Sequence, residues 1–130
     1  QLPRLDDNNS LRTRNQTIFL ANLDKEKFRT DFRIKGSSNY AFNLVQQQSD
    51  MAFADRLMQR MQDESIEFRR GSAGGGNQLR QPYVRKFLGD VFMDFPEVEH
   101  IHFFGFYIGN FPSLEEAEVL MLCNKLNSVD

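Results

Sequence analysis

The glycine-rich segment 71–76 constrains the fold more than any other part of this chain. Four glycines in six positions exclude the interior of a helix or a strand. Before this segment, residues 66–70 alternate apolar with charged side chains, which predicts a half-buried strand. After it, Pro82 can begin a helix without losing a hydrogen bond, and Gly89 can end that helix. The sequence therefore predicts a strand, a glycine-rich loop and a short helix.

Three arginines flank this loop, namely Arg69, Arg70 and Arg80. Exposed backbone N–H groups and guanidinium groups both bind phosphate well. The glycine spacing matches neither the Gly-x-Gly-x-x-Gly pattern nor a Walker loop, so it does not fix the function. Two interpretations stay open from the residues alone: a phosphate-binding loop, and a simple connection between two elements.

The composition is that of one globular domain with a modest core. The chain has 130 residues, of which 40% are hydrophobic and 26% charged. A net charge of −2 disfavours a nucleic-acid surface, so we interpret the aromatic segment 103–107 as a core strand and not as an RNA-stacking platform. The single cysteine, Cys123, excludes an internal disulfide and suits a reducing compartment.

Apolar periodicity predicts the order helix, strand, helix, strand, short helix, strand, helix. We expect a linker at 1–9, a helix over 10–25 and a strand over 40–45. Ser49 or Asp50 should cap the next helix, which begins at 51. Residues 90–99 are expected to be irregular, residues 100–110 a strand, and Ser113–Glu116 a capping box that starts the last helix. These elements predict an α+β fold: a small, mostly antiparallel sheet of about three to four strands with helices packed on one face.

No catalytic or metal-binding pattern is evident in the residues. His100 and His102 would lie on one face of the predicted strand, but no carboxylate or thiol has a matching ligand spacing, so we predict no metal site. Cys123 lies in an apolar helical run, which is typical of a buried core thiol. No nucleophile elbow, carboxylate pair or triad is present, so side-chain chemistry alone predicts a binding domain with no catalytic residue.

Two motifs in this order resemble one enzyme family. The first is Arg69-Arg-Gly-Ser-Ala-Gly-Gly-Gly-Asn77-Gln-Leu-Arg-Gln-Pro-Tyr83, and the second is His102-Phe-Phe-Gly-Phe-Tyr-Ile-Gly-Asn110-Phe-Pro with a Leu-Glu-Glu helix after it. Together they resemble the C-terminal part of DegT-type nucleotide-sugar aminotransferases and 3-dehydratases, which are fold-type I pyridoxal phosphate (PLP) enzymes. The members most similar in pattern serve perosamine- and colitose-type deoxysugar biosynthesis, from GDP-4-keto-6-deoxymannose, for lipopolysaccharide O-antigens.

This resemblance implies a domain organisation. Residues 1–9 would be the linker from a missing N-terminal large domain, and residues 10–130 the C-terminal small domain. In the family, the large domain holds PLP and, in aminotransferases, the Schiff-base lysine. None of the five lysines here (Lys25, Lys27, Lys35, Lys86 and Lys125) lies in a matching motif. We therefore expect this segment to be inactive and free of cofactor by itself, and the parent enzyme to be a cytoplasmic homodimer that binds no nucleic acid and no membrane.

The resemblance also implies that the two motifs line one wall of the substrate cleft. The residues concerned are Asn77, Arg69, Arg80, Arg70, Asn110 and Tyr107. Asn77 is expected to face the sugar and the arginines to meet the diphosphate, since guanidinium groups bind phosphates in a bidentate manner. The residues leave open whether the parent enzyme transfers an amino group or removes the C3 hydroxyl. A free-standing phosphate- or ligand-binding α+β module that uses the glycine loop is the alternative.

Overall fold

Three short antiparallel strands form the sheet on which the fold is built. In a computed structural model, residues 2–130 are described and form five α-helices and three strands. In chain order these are α1 (Leu2–Asn22), β1 (Ala41–Val45), α2 (Met51–Asp63), β2 (Phe68–Arg70), α3 (Pro82–Leu88), α4 (Pro96–Phe104), β3 (Gly105–Gly109) and α5 (Glu116–Asn127). Short 3-10 turns lie at Ala73–Gly75, Gln78–Arg80 and Val91–Asp94. None of the helices within residues 2–130 combines the length and the apolarity needed to cross a membrane.

The last strand of the chain, β3, lies at the centre of the sheet. The order is β1-β3-β2, and both neighbours pair with β3 in the antiparallel sense. Ile108 is opposite Phe42 of β1 and also opposite Phe68 of β2, so a row of apolar side chains crosses one face. The predicted α+β fold with a small antiparallel sheet is therefore confirmed.

The hydrophobic core lies between that face of the sheet and helices α1, α2 and α5. Phe19 of α1 stacks on Phe42 of β1 with ring centroids 4.5 Å apart. The α2 stripe reaches the core through three fully buried side chains, as the periodicity predicts. The fully buried apolar residues are Phe19, Phe28, Phe42, Leu44, Ala54, Leu57, Met61, Cys123 and Leu126.

Two predicted helix ends are confirmed by their cap geometry. The Asp50 carboxylate accepts a 3.0 Å hydrogen bond from the backbone N–H of Phe53, which satisfies a donor that the first turn of α2 would leave unpaired. Gly89 ends α3 with φ +70°, a conformation in which a side chain would be strained. Local sequence chemistry thus fixes the start of α2 and the end of α3.

The prediction for residues 96–104 is wrong. Residues 96–104 form helix α4 where an irregular segment and the first half of a strand were expected, and only Gly105–Gly109 is extended. Pro96 lies in the first turn of α4, where its missing N–H costs nothing, and Glu97 and Glu99 complement the positive end of the helix. His100 and His102 therefore lie on a helix, so they do not share the face that a strand would give them.

Two helix starts also differ from the prediction. Helix α1 begins at Leu2 and not near residue 10, so residues 2–9 are helical and not an irregular linker. Helix α5 has its capping box at Glu115 and Glu118, two residues later than predicted: the Glu115 side chain accepts from the backbone N–H of Glu118, while the Glu118 side chain accepts from that of Glu115. The domain boundary proposed at residue 10 stays a prediction.

Candidate functional site

The candidate site lies on the face of the sheet opposite the core. Tyr107 of β3 is directly opposite Arg69 of β2 and opposite Asn43 of β1. Residues paired in an antiparallel ladder extend their side chains to the same face, so these three cross the sheet as one row. Their neighbours Phe106 and Ile108 point to the core. Arg69 and Tyr107, both predicted site residues, are thus brought together on the outer face.

A groove of about 290 Å³ lies along the Arg69 and Tyr107 side of this row. The lining residues that give it chemical character are Tyr40, Glu67, Arg69, Tyr107, Gly109 and Phe111. The Tyr40 and Tyr107 rings meet edge to face, with centroids 6.5 Å apart. Tyr40 is 70% exposed and Phe111 is 61% exposed, so aromatic faces are open to a ligand. Apolar rings with a few charged groups are the usual lining of a ligand site.

Gly109 is what allows the Phe111 ring to lie over the end of β3. A Cβ at Gly109 would be 2.7 Å from the Phe111 ring, closer than a real side chain can approach. The Phe111 ring therefore occupies the space that a side chain at Gly109 would take, and it lines the groove. Glycine at this position has a packing reason.

The charged groups of the groove have no partner among residues 2–130. Glu67 lies just before the edge strand β2, and Arg69 lies on that strand two residues later. Both side chains are exposed. Within residues 2–130 neither side chain makes a hydrogen bond or an ion pair, although five ion pairs form elsewhere. Their carboxylate and guanidinium groups are therefore available to a ligand.

Asn77 and Arg80, two further predicted site residues, meet at a different place. The Asn77 amide donates to the Glu99 carboxylate at 2.7 Å, and the Arg80 guanidinium binds the same carboxylate in a bidentate manner at 2.6–2.9 Å. The Arg80 guanidinium also lies over the rings of Phe92 and Phe103, at 4.4 and 4.9 Å from their centroids. The Arg80 hydrogen bond holds the pKa of Glu99 below its ordinary value, against the opposing effect of desolvation.

His102 joins this cluster through the backbone. Its Nδ1 accepts a 3.0 Å hydrogen bond from the N–H of Asn77, so the neutral ring carries its proton on Nε2. A Cβ at Gly76 would be 2.2 Å from Nδ1, so glycine permits this contact. Burial lowers the pKa of His102, and the charge of Arg80 adds to that effect. Asn77, Arg80, Glu99 and His102 together fix the C-terminal half of the glycine loop.

Arg70 and Asn110 occupy two further environments. Arg70 pairs with Phe106, so it points to the opposite face from Arg69, and its Nε is buried without a partner among residues 2–130. The Asn110 amide donates to the carbonyls of Arg12 and Asn39 at 3.0 and 2.9 Å, and its oxygen accepts from Asn15 at 3.1 Å. Asn110 is fully buried, so this network ties the end of β3 to α1.

The six predicted residues therefore do not form one site. Asn77 and Arg80 lie beyond the Gly105 end of β3 and Asn110 lies beyond its Gly109 end, so roughly the length of a five-residue strand separates them. Arg69 and Tyr107 alone share the open groove. The glycine loop also makes a poor phosphate cradle, because the Glu99 carboxylate already occupies Arg80 and Asn77 and would repel an anion.

Metal and thiol chemistry find no support in the described residues. Within residues 2–130, no three His, Cys, Asp or Glu side chains are close enough together to hold a metal ion. The two histidines also have different partners. His100 Nε2 donates to the Gln46 carbonyl at 2.7 Å, whereas His102 Nδ1 accepts from the Asn77 N–H. The prediction that Cys123 is a core thiol is confirmed: it is buried, and burial raises its pKa to about 11.

The sequence analysis did not identify four residues that line the groove or bind Asn77 and Arg80. Glu99 was assigned to an irregular segment, and Glu67, Tyr40 and Phe111 were not considered as site residues. The alternation of Glu67 with Arg69 is a signal that could have identified the first of these, since it places two charges on one face of a strand. Nothing local indicates Tyr40 or Phe111, because strand pairing brings them to the groove.

Comparisons with known proteins agree with this fold. No family model and no curated protein matches the sequence. One matching structure is a GDP-4-keto-6-deoxymannose-3-dehydratase with a trapped PLP-glutamate geminal diamine: it is 21% identical, with a TM-score of 0.72, and the match covers 97% of this chain and 33% of that one. Another is the E. coli GDP-4-keto-6-deoxy-D-mannose-3-dehydratase with bound hydrated PLP: it is 22% identical, with a TM-score of 0.79, and the match covers 97% and 32%.

The chain thus spans about a third of the length of the solved structures that it matches. At this level of identity the likeness shows the fold, and the match extends over almost the whole chain. The structural resemblance that the two motifs predict is confirmed. The chain has the fold of one part of GDP-4-keto-6-deoxymannose-3-dehydratases whose solved structures contain PLP.

Proposed function

We propose that this chain is the C-terminal domain of a PLP-dependent enzyme that acts on a nucleotide-linked 4-keto-6-deoxysugar. The observation that carries the proposal is the fold match, which covers 97% of this chain with a TM-score of 0.79 to an enzyme of that kind. The sequence motifs support it independently, since they indicate the same type of enzyme. A further domain of the parent enzyme would complete the active site.

The residues described here do not fit PLP themselves. Lys27 Nζ donates to the carbonyls of Asn127 and Val129, and Lys125 pairs with Glu64. The other three lysines, Lys25, Lys35 and Lys86, are exposed, and none of the five lines the groove. We therefore assign the cofactor to the remainder of the parent enzyme, and no step of the chemistry involves a residue of this chain acting on PLP.

The contribution of this chain is to bind and orient the substrate. Arg69 and Tyr107 are the contacts that we assign first, because they lie opposite each other in an open groove and Arg69 has no partner among the residues that the structure describes. Asn77, Arg80 and Asn110 support the site indirectly, since their side chains hold the loops at the two ends of β3. Fixing the substrate against the reacting groups can contribute as much to the rate as the chemistry does.

The experiment uses the longer protein that carries these residues, loaded with PLP. It is mixed with GDP-4-keto-6-deoxymannose and glutamate, and the product is identified by mass spectrometry. Loss of the C3 hydroxyl or gain of an amino group at C4 supports the proposal and distinguishes the two reactions. A protein that binds no PLP and forms neither product overturns it. The isolated 130-residue chain is the control and should form no product.

A further inference from the structure

The outer edge of strand β2 carries backbone groups that have no partner among residues 2–130. The N–H of Gly71 donates to the Gly105 carbonyl at 2.6 Å, so the backbone groups of Gly71 point towards β3. Hydrogen-bonding direction alternates along an antiparallel strand, so Arg69 also faces β3, while Phe68 and Arg70 direct their N–H and C=O groups away from it. Within the described residues, neither Phe68 nor Arg70 makes a backbone hydrogen bond outside the sheet. This edge is therefore open to another strand.

The charged side chains at this edge are complementary to a copy of themselves. Glu67 and Arg69 are exposed, lie two residues apart on one face of the sheet and form no ion pair within residues 2–130. If the strand pairs antiparallel with a second copy about Phe68, Glu67 comes opposite Arg69 of that copy, and the same contact occurs twice. An edge strand with charges of one sign repels its own copy, whereas this edge attracts one.

We propose that the edge strand β2 is an interaction surface for a second copy of this chain, and that the two strands pair antiparallel about Phe68. The pairing would join the two three-stranded sheets into one. The two Phe68 residues would exchange both of their backbone hydrogen bonds. Each Arg70 N–H would donate to the Ile66 carbonyl of the other copy, whereas the Ile66 N–H already donates to Met61 at 2.7 Å.

The backbone and the side chains favour the same register. Phe68 directs its backbone groups outward, so a pair centred on it is hydrogen-bonded, and residues 67 and 69 then form the closer pairs without hydrogen bonds. A pairing centred on Arg69 would instead place two guanidinium groups opposite each other. Phe68 is half-buried and contacts Phe106 edge to face, with ring centroids 5.9 Å apart. The Phe68 ring of the second copy would extend this apolar row across the interface.

The pairing goes beyond the proposed function and is compatible with it. A guanidinium has more N–H donors than one carboxylate can accept, so Arg69 keeps donors for a ligand in the groove. The Glu67 carboxylate, which would otherwise repel an anionic ligand, is neutralised by the second copy. Formation of the interface depends on neither PLP nor a substrate, because every group that it uses belongs to residues 66–70.

The test is sedimentation velocity of the 130-residue chain between about 10 µM and about 1 mM, the range in which a small interface dissociates. We expect the wild-type chain to shift from monomer to dimer over this range. Glu67→Arg and Arg69→Glu each place like charges opposite each other at two positions. We expect each variant to weaken the dimer by about tenfold or more, because cross-strand attractions become repulsions. Both positions are exposed, so the fold should persist, which circular dichroism verifies.

An equimolar mixture of these two variants is the decisive sample. One copy then carries two positive side chains on the edge and the other carries two negative ones, so a heterodimer is attractive at both positions. We expect the mixture to dimerise about as well as the wild-type chain, and the double variant Glu67→Arg/Arg69→Glu to do so by itself. The matched controls Glu26→Arg and Arg33→Glu change exposed residues between α1 and β1, away from β2, and should dimerise like wild type.

Three outcomes would overturn the inference. They are a wild-type chain that stays monomeric up to about 1 mM, single variants that dimerise as strongly as wild type, and a mixture that dimerises no better than its separate components. These outcomes are separable from the proposed function, because sedimentation requires neither PLP nor turnover. A parent enzyme that converts the nucleotide sugar, while this chain stays monomeric, would refute the inference alone.

Discussion

The backbone N–H of Asn77 donates a 3.0 Å hydrogen bond to Nδ1 of His102. This bond joins the glycine loop to helix α4 across 25 residues of sequence, and it requires the imidazole to be neutral. Arg80 and Arg70 both lower the pKa of His102, after the larger effect of burial, and the nearby Glu99 opposes them. The loop conformation is therefore coupled to the protonation state of one side chain.

We predict that stability falls as the pH drops below about 6.5, the pKa of an unperturbed histidine. The folded protein lowers the pKa of His102, so in this range the unfolded chain binds more protons and acid favours unfolding. Thermal unfolding measured from pH 8 to pH 5 would show a decreasing Tm. His102→Gln, whose amide oxygen can accept the same bond but does not titrate, should flatten this dependence, whereas the control His100→Gln should retain it.

Glu99 should be more important for stability than Glu97, although both pair with an arginine. The Glu99 side chain is 19% exposed and receives hydrogen bonds from both Asn77 and Arg80, whereas Glu97 is 73% exposed and, within residues 2–130, pairs with Arg29 alone. We predict that Glu99→Gln lowers the urea midpoint of unfolding more than the matched variant Glu97→Gln. Equal effects of the two variants would show that the loop does not depend on the Glu99 carboxylate.

Gly71→Ala should destabilise the fold. A Cβ at Gly71 would lie 2.1 Å from the carbonyl oxygen of Ile101, a backbone atom that cannot move aside cheaply. The clash would also disturb the hydrogen bond from Gly71 N–H to the Gly105 carbonyl, 2.6 Å long. We expect a loss of about 1–3 kcal/mol in the free energy of unfolding, typical of overpacking. The neighbouring substitution Ser72→Ala, measured in the same way, should change little.

Asn110→Ala should destabilise the fold by removing the network that ties β3 to α1. The buried amide donates to the Arg12 and Asn39 carbonyls and accepts from Asn15, so its removal takes away three buried or partly buried hydrogen bonds. A cost of about 1–3 kcal/mol in the free energy of unfolding is expected. The control Asn124→Ala, at an exposed position on α5, should be nearly neutral. A neutral result for Asn110→Ala would mean that water replaces the amide.

Much of the fold could be predicted because local chemistry decides it. Asp50 and Gly89 fix helix ends through a side-chain cap and a positive φ, and both are visible in the sequence. Residues 100–104 could not be assigned in this way, because an aromatic run of that kind suits a strand as well as a helix. The Pro96 signal for a helix start was present, but it was outweighed by the strand propensity of the residues that follow.

The site was predictable only in part, because it depends on strand pairing. The motifs indicated Arg69 and Tyr107, and the register of β2 against β3 places them together. The same motifs indicated Asn77 and Asn110, but the fold places these two residues at opposite ends of β3. Their side-chain amides donate hydrogen bonds to other residues of this chain. No pattern in one strand reveals which residues of another will be opposite.

The most direct test of the central claim is the steady-state KM for GDP-4-keto-6-deoxymannose in the longer, PLP-loaded protein and its Arg69→Gln variant. If this chain forms the substrate-binding wall, the wild-type protein turns the sugar over and the variant raises KM by about tenfold or more, the cost of losing charge-assisted hydrogen bonds. Arg33→Gln, the matched control, should leave KM unchanged. The absence of turnover, or equal KM values for wild type and Arg69→Gln, would contradict the account.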